Sequence, residues 1–399
     1  MTWQTKKLGE VCEIVKDTPS KFEGEKDYFS TGAISNGGFF VSEKVNYKNR
    51  PSRANSYPKM GDVGFAKMKF TNKTLLVDST LQGSIFSTGF CFLRPSKLLD
   101  NKYLFHFIIS DEFQKIKDLY AGDGIMGGVK NSDVKEIEIT LPELSEQQRI
   151  VKILDEIFEK VEKAKEIAEK NLQNSRELFE SYLQSIFANP NDEWEEKKLG
   201  DKNLLKIIDG DRGKNYPKKS DFLQEGYCVF LNTKNVRVDG FEFKTVMFIT
   251  KDKDNTLGNG KLQRNDVLLT TRGTIGNIAV YDESVPFENI RINSGMLIFR
   301  PNTKLIIPEY LFAIFQSGIM KSQTKKFVSG TAQPQLPIKT LINFSIPVPK
   351  STTEQKTIVK KLDELSGQTK KLEEIYRRKL ELLEELKKSV LAKAFRGEL

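Results

Sequence analysis

Trp194-Glu195-Glu196-Lys197-Lys198-Leu199-Gly200 repeats Trp3-Gln4-Thr5-Lys6-Lys7-Leu8-Gly9, and the rest of the chain follows from that recurrence. Working outward, Gly61-Asp62-Val63 returns as Asn265-Asp266-Val267, and Phe92-Leu93-Arg94-Pro95 as Ile298-Phe299-Arg300-Pro301. Tyr103-Leu104-Phe105 returns as Tyr310-Leu311-Phe312, Glu146-Gln147 as Glu354-Gln355, and Leu154-Asp155-Glu156 as Leu362-Asp363-Glu364. The offset grows from 191 residues (3 to 194) to 208 (146 to 354), yet the order never changes. Chance matches would not stay collinear, so the chain is an internal duplication.

Each copy has two parts. The first alternates short β-branched and aromatic runs, such as Thr74-Leu75-Leu76-Val77 and Val267-Leu268-Leu269-Thr270, with Gly, Asn, Asp and Pro punctuation. One helical stretch interrupts it, at 101–119 in the first copy and 308–327 in the second. This pattern predicts an α+β domain with a mostly antiparallel sheet. The second part is a long helix. From Ser145 to Ala188 there is no Gly or Pro, with Ser145 and Gln148 as a capping box, and from Ser351 to Arg396 only Gly367 interrupts. A four-three apolar spacing runs through Ile150, Leu154, Ile157 and Val161, and through Ile358, Leu362, Leu365, Leu372, Tyr376, Leu383, Leu386 and Val390. Such a period calls for a coiled-coil seam. The two helices are expected to pack antiparallel, with pseudo-two-fold symmetry and the two duplicated domains at opposite ends. The predicted boundaries are 1–143 and 194–350 for the globular domains, with 144–193 and 351–399 for the helices. On this reading a chain cut after Leu372 loses its seam but keeps its domains folded.

Charge and inventory narrow the function. The net charge of +9 is uneven: +2 over 1–143, −4 over 144–193, +8 over 194–350 and +3 over 351–399. That suits a polyanionic partner without proving one. Three scattered cysteines, Cys12, Cys91 and Cys228, predict a reducing cytoplasm. No apolar leader or membrane-length run is present, so no membrane partner is expected. The one histidine, His106, reads as a satisfied helix residue, and a single histidine builds neither a His/Cys metal cluster nor a Ser-His-Asp triad. Gly258-Asn259-Gly260-Lys261-Leu262 lacks the leading Gly and trailing Ser/Thr of a phosphate loop, and Asp252-Lys253-Asp254 lacks the Gly and distal Glu of a calcium loop. Neither a catalytic nor a metal residue set is expected on this chain.

At this point the repeats resemble those of Type I restriction-modification specificity subunits, over essentially the whole chain. The most specific stretch is Gly330-Thr331-Ala332-Gln333-Pro334-Gln335-Leu336, followed by Ile346-Pro347-Val348-Pro349, Glu354-Gln355 and Ile358-Val359. Arg272-Gly273-Thr274-Ile275-Gly276, shortly after Asn265-Asp266-Val267, matches too. The first copy departs, with Gly127-Gly128-Val129-Lys130 where Gln333 and Pro334 would stand. The resemblance implies a sequence-specific DNA-binding subunit whose domains each read half of a bipartite, asymmetric target, with the helices as spacer. It implies two modification subunits that methylate adenine and a motor-nuclease subunit as partners. S-adenosylmethionine, ATP and Mg are then expected on those partners and no cofactor here. The alternative is a duplicated coiled-coil scaffold that binds protein.

Cations position a domain on phosphates, whereas Arg, Asn, Gln and Thr reach base edges. In the second domain the expected DNA-binding residues are Arg212, Lys214, Tyr216, Lys218 and Lys219 in one basic loop, then Lys234 and Asn235, then Arg272. In the first domain they are Lys67, Lys69, Asn72 and Lys73, with Ser35-Asn36-Gly37 beside them.

Overall fold

The structure is a computed structural model that describes residues 3–34, 41–122, 127–327 and 335–399. It divides into two compact units, Met1–Lys170 with Tyr376–Leu399, and Asn171–Ile375. Both units cut across the long helices, which span Leu144–Ala188 and Thr352–Arg396. Each unit therefore contains the head of one long helix and the tail of the other.

In the first unit a four-stranded antiparallel sheet has the order Cys12–Ile14, Phe90–Pro95, Val63–Ala66, Thr74–Leu76. The second unit repeats that order with Leu205–Asp209, Met296–Pro301, Asp266–Thr270 and Ile278–Tyr281. A second sheet in each unit contains one parallel pair, Lys26–Phe29 with Ile85–Ser87 and Cys228–Leu231 with Ile290–Ile292. The Trp-initiated repeat forms an edge pair, Gln4–Lys7 with Glu138–Leu141 and Trp194–Lys198 with Ser345–Pro349.

The repeated motifs are the locks of this scaffold. Arg94 forks onto Asp62 at 2.9 and 2.8 Å, and Arg300 forks onto Asp266 at 2.8 and 2.7 Å. Both carboxylates are buried, and bidentate charge-assisted bonds of this kind are strong enough to hold two strands in register. The residue before each aspartate turns left-handed, Gly61 with φ 90° and Asn265 with φ 75°. Gly and Asn are the residues that tolerate this conformation, which explains the exchange between copies. Tyr103 donates to Thr140 O at 2.9 Å, and Tyr310 to Pro347 O at 3.0 Å.

The head of each long helix is locked by the glutamine of its Glu-Gln pair. Buried Gln147 accepts from Asp100 N at 2.8 Å and donates to Leu98 O and Pro142 O at 2.9 and 2.8 Å. Buried Gln355 accepts from Ile307 N at 2.9 Å and donates to Leu305 O and Pro349 O at 2.8 and 3.1 Å. The first helix begins at Leu144, so Ser145 lies inside its first turn rather than capping it.

The helix tails differ from expectation. Val390, Leu391, Ala394 and Phe395 are buried in the first unit's core, where the Phe395 ring meets Tyr103 at 5.1 Å and Phe107 at 5.4 Å. Leu183 and Phe187 take the same place in the second unit, with Phe187 against Tyr310 at 5.7 Å. A cut after Leu372 would thus remove four core residues from the first unit, so the expectation of intact domains is reversed.

Within each unit the helix segments run antiparallel. Glu162 meets Lys387 at 2.7 Å and Lys165 meets Glu384 at 2.9 Å in the first, and Arg176 meets Glu373 at 3.1 Å in the second. Of the expected seam, Ile150, Leu154, Val161, Leu362 and Val390 are buried, and Ile157, Ile358, Leu365, Tyr376 and Leu383 are half-buried. Leu372 and Leu386 are exposed, which corrects their assignment. Buried Thr369 and Ser175 continue the four-three spacing with hydroxyl side chains in the second unit, and the Lys387 ammonium lies over the Phe158 ring at 5.2 Å in the first. Two small polar residues hold those positions, and an apolar search passes over both.

Candidate nucleic-acid interface

The functional geometry centres on a seven-residue turn that each unit builds alike. In the second unit it is Thr271–Asn277, closed by Thr270 N donating to Asn277 O at 2.9 Å. Thr271 N donates to Gly295 O at 2.8 Å, and Leu336 N donates to Thr271 O at 3.0 Å. In the first unit it is Lys67–Lys73, closed by Ala66 N to Lys73 O at 2.9 Å. There Lys67 N donates to Gly89 O at 2.9 Å, and Val129 N to Lys67 O at 3.0 Å. Arg272 pairs with Gln335 where Met68 pairs with Gly128, so the backbone sets the equivalence that the divergent sequence concealed. The remainder of the Gly330–Leu336 stretch, through Pro334, lies outside the described residues, as do Ser35, Asn36 and Gly37.

In the second unit Arg212 and Arg272 line one cavity of about 240 Å³ with Asp209, Thr271, Gln335 and Leu336. Arg212 is exposed and donates to Asp209 and to Ser294 O at 3.2 Å. Half-buried Arg272 lies beside Gly295, where an added Cβ would stand 3.7 Å from the Arg272 Cβ and 3.0 Å from Thr233 Cγ2. The basic loop, the Arg272 turn and the Thr233–Asn235 turn therefore converge on Ser294–Gly295.

Asp211 fastens the basic loop. Its carboxylate accepts from Gly213 N at 2.6 Å and from Gly258 N at 2.6 Å, and these amides, Gly213 foremost, hold it below the ordinary carboxylate range. The Gly258-Asn259 amides that resemble a phosphate loop are thus spent on Asp211. Lys261 and Arg291 likewise pair with buried Asp254.

Lys214, Lys218, Lys219 and Lys234 are exposed and free to reach phosphate. Tyr216 is half-buried, edge-on to Phe230 at 5.7 Å. Asn235 is buried. Its amide donates to Glu242 O and Thr245 O at 3.0 and 2.7 Å and accepts from Asn232 N at 3.0 Å. Its side-chain hydrogen-bonding groups are spent on the fold.

In the first unit Lys69 donates to Gly122 O at 2.8 Å and Lys73 to Thr31 O at 2.7 Å, while Lys67 is half-buried and Asn72 exposed. Lys117, which the sequence reading missed, is fully buried and donates to Thr71 O at 2.7 Å. Desolvation lowers its pKa, against the pull of Asp118. No periodic signal marks it, because Lys117 faces the turn from a helix more than forty residues away.

Among the described residues no group of three or more His, Cys, Asp or Glu could hold a metal ion, and no helix is long and apolar enough to cross a membrane. Cys12, Cys91 and Cys228 are free and buried, and burial pushes each thiol up to about 12. His106 is buried, with Nε2 at 2.9 Å from Asp155.

Residues 1–170 and 191–382 match the family described as Type I restriction modification DNA specificity domain. The chain belongs to that family, and within it stands among the specificity subunits of Type I restriction-modification systems. It is 26% identical to the Type I restriction enzyme MjaVIII specificity subunit of Methanocaldococcus jannaschii, over 100% of this chain and 93% of that one. It is 27% identical to the EcoKI specificity subunit of Escherichia coli K12, over 78% and 68%. In fold it is similar to a chain from a structure of Type I restriction-modification complex assembly, with TM-score 0.83 and 24% identity over 100% and 98% of the two chains. The HsdS subunit of Thermoanaerobacter tengcongensis gives TM-score 0.66 at 24% identity, over 100% and 97%.

Proposed function

We propose that each unit reads one half of a bipartite, asymmetric duplex target, and that the chain directs adenine methylation and restriction by partner subunits while holding no catalytic residue itself. One observation carries this reading. The two units share a turn closed by the same backbone bonds, yet present Arg272-Gly273-Thr274 in one and Met68-Lys69-Phe70 in the other. One scaffold with two sets of side chains suits two different half-sequences. Arg212 and Arg272 are the base-reading pair in the second unit, since an Arg fork matches guanine O6 and N7. Lys214, Lys218, Lys219 and Lys234 clamp phosphates. Lys67, Lys69, Asn72 and Lys73 serve the first half-site.

Two modification subunits dock along the long helices. Exposed Ile167, Leu382 and Leu386 in the first unit, and Leu178, Leu372 and Ile375 in the second, supply apolar anchors for them. S-adenosylmethionine, ATP and Mg bind those partners and the motor-nuclease subunit. Three buried reduced cysteines accord with work in the cytoplasm.

Binding by the complex with its modification subunits tests the reading. A duplex carrying the target should bind at least about 10³-fold tighter than a scrambled duplex, with affinity falling steeply as salt rises. Equal affinity for both would leave only the protein-binding scaffold.

A further inference from the structure

We infer that Phe70 is an apolar base-contacting residue of the first unit, a specificity determinant that presses its ring against a thymine methyl or base face in the first half-site. The inference rests on the reading of this unit as a DNA-binding domain.

Phe70 stands at the tip of the Lys67–Lys73 turn with φ 58°. A bulky side chain in the left-handed region is strained, and such outliers persist where surrounding contacts over-determine them. Packing offsets little of that strain: Phe70 is 78% exposed, with the Lys69 ammonium over its ring at 5.3 Å. The surroundings hold the backbone instead. Asp118 accepts from Phe70 N at 3.1 Å, and Lys117, fully buried, donates to Thr71 O at 2.7 Å. Lys69 donates to Gly122 O at 2.8 Å, just past the end of the same helix. A buried ammonium is costly to keep for a surface turn alone. Together these bonds present an aromatic ring outward on a rigid support.

The neighbouring side chains indicate the occupant. Lys67, Lys69 and Lys73 put three cations in the same seven-residue turn, and Met68 is about half exposed. Cations flanking an apolar tip fit a polyanion that carries apolar surface between its charges, which describes a DNA groove. The equivalent turn carries Arg272, and Phe70 occupies the position of Thr274. A thymine methyl is met by apolar contact in the major groove, and a base face in a duplex by an apolar wedge between partly unstacked base steps.

The test uses the full chain with its modification subunits, on a duplex whose target has been set by methylome sequencing. Phe70→Ala should weaken binding by about ten- to a hundred-fold, the range of a lost base–aromatic contact. It should also relax one position of one half-site. Phe70→Gly should lose as much binding while unfolding at a temperature no lower than wild type, since glycine relieves the strained φ. Thymine-to-deoxyuridine substitution at the relaxed position should weaken wild type but not Phe70→Ala if the methyl is read. If the base face is read, the substitution should be silent and 2-aminopurine fluorescence at that step should change only with Phe70 present. Wild-type methylation of a defined bipartite site, with Phe70→Ala unchanged in affinity and at every position, would overturn the inference and leave the function standing. No sequence-dependent methylation by wild type would instead remove the reading on which it rests.

Discussion

Replacing Phe395 by alanine should unfold part of the domain that begins the chain, although the two lie at opposite ends of the sequence. The ring is 4% exposed and meets Tyr103 at 5.1 Å and Phe107 at 5.4 Å, with Leu391 and Ala394 buried in the same core. Removing a phenylalanine from such a site costs about 3–5 kcal/mol, from lost transfer and the cavity left behind. That is a large share of the roughly 5–15 kcal/mol that keeps a domain folded. Hydrogen exchange on the full chain reads the effect by region. In Phe395→Ala the amides of Asn101–Ile109 should exchange about 10²- to 4 × 10³-fold faster, at tenfold per 1.4 kcal/mol. Pro308–Gln316 should keep its protection, whereas Phe187→Ala should produce the converse pattern. Unchanged protection of Asn101–Ile109 in Phe395→Ala, or in a chain ending at Leu372, would refute the swapped-tail packing.

Burial holds the His106 imidazole below its ordinary range, against the nearby Asp155 carboxylate, so the folded first unit disfavours the charged ring. The unfolded chain takes that proton near pH 6.5, so stability should fall as pH drops below about 6.5 towards the depressed folded pKa, and be flat above it. His106→Gln should reduce that slope in urea titrations between pH 7.5 and 5.5, and an identical slope would count against it. Asn235→Ala should destabilise the second unit by about 1–3 kcal/mol through backbone carbonyls left unpaired, seen as a lower urea midpoint. Lys214→Ala should leave that midpoint alone and reduce the magnitude of the salt slope of DNA binding by about one.

The duplication was legible because its motif residues are locks with a fixed partner. Arg94 with Asp62, Arg300 with Asp266, and the two glutamines at the helix heads sit where their hydrogen bonds require, so identity and spacing survive divergence. The seam was legible at Ile150, Leu154, Val161, Leu362 and Val390 and failed at the exposed Leu372 and Leu386. Nothing local announces that Phe395 enters a core built around Tyr103, since that contact spans almost three hundred positions. The candidate site residues differ in how far sequence alone points to them. Charge density picks out Arg212 and Lys214, and the family turn picks out Arg272. Asn235 and an exposed lysine look alike in sequence, and only the carbonyls of Glu242 and Thr245 tell them apart. The exposed Phe70, by contrast, carries no composition signal at all.

Methylome sequencing of a host that carries this chain and its modification subunits tests the central claim most directly. Wild type should methylate adenines within one bipartite motif, its two halves separated by a fixed spacer. Arg272→Ala should relax a position in one half only, leaving the other half and the spacer untouched, because each unit carries its own turn and its own readers. Relaxation spread over both halves, or confined to the half that responds to Lys69 and Lys73, would contradict the assignment of one half-site to each unit.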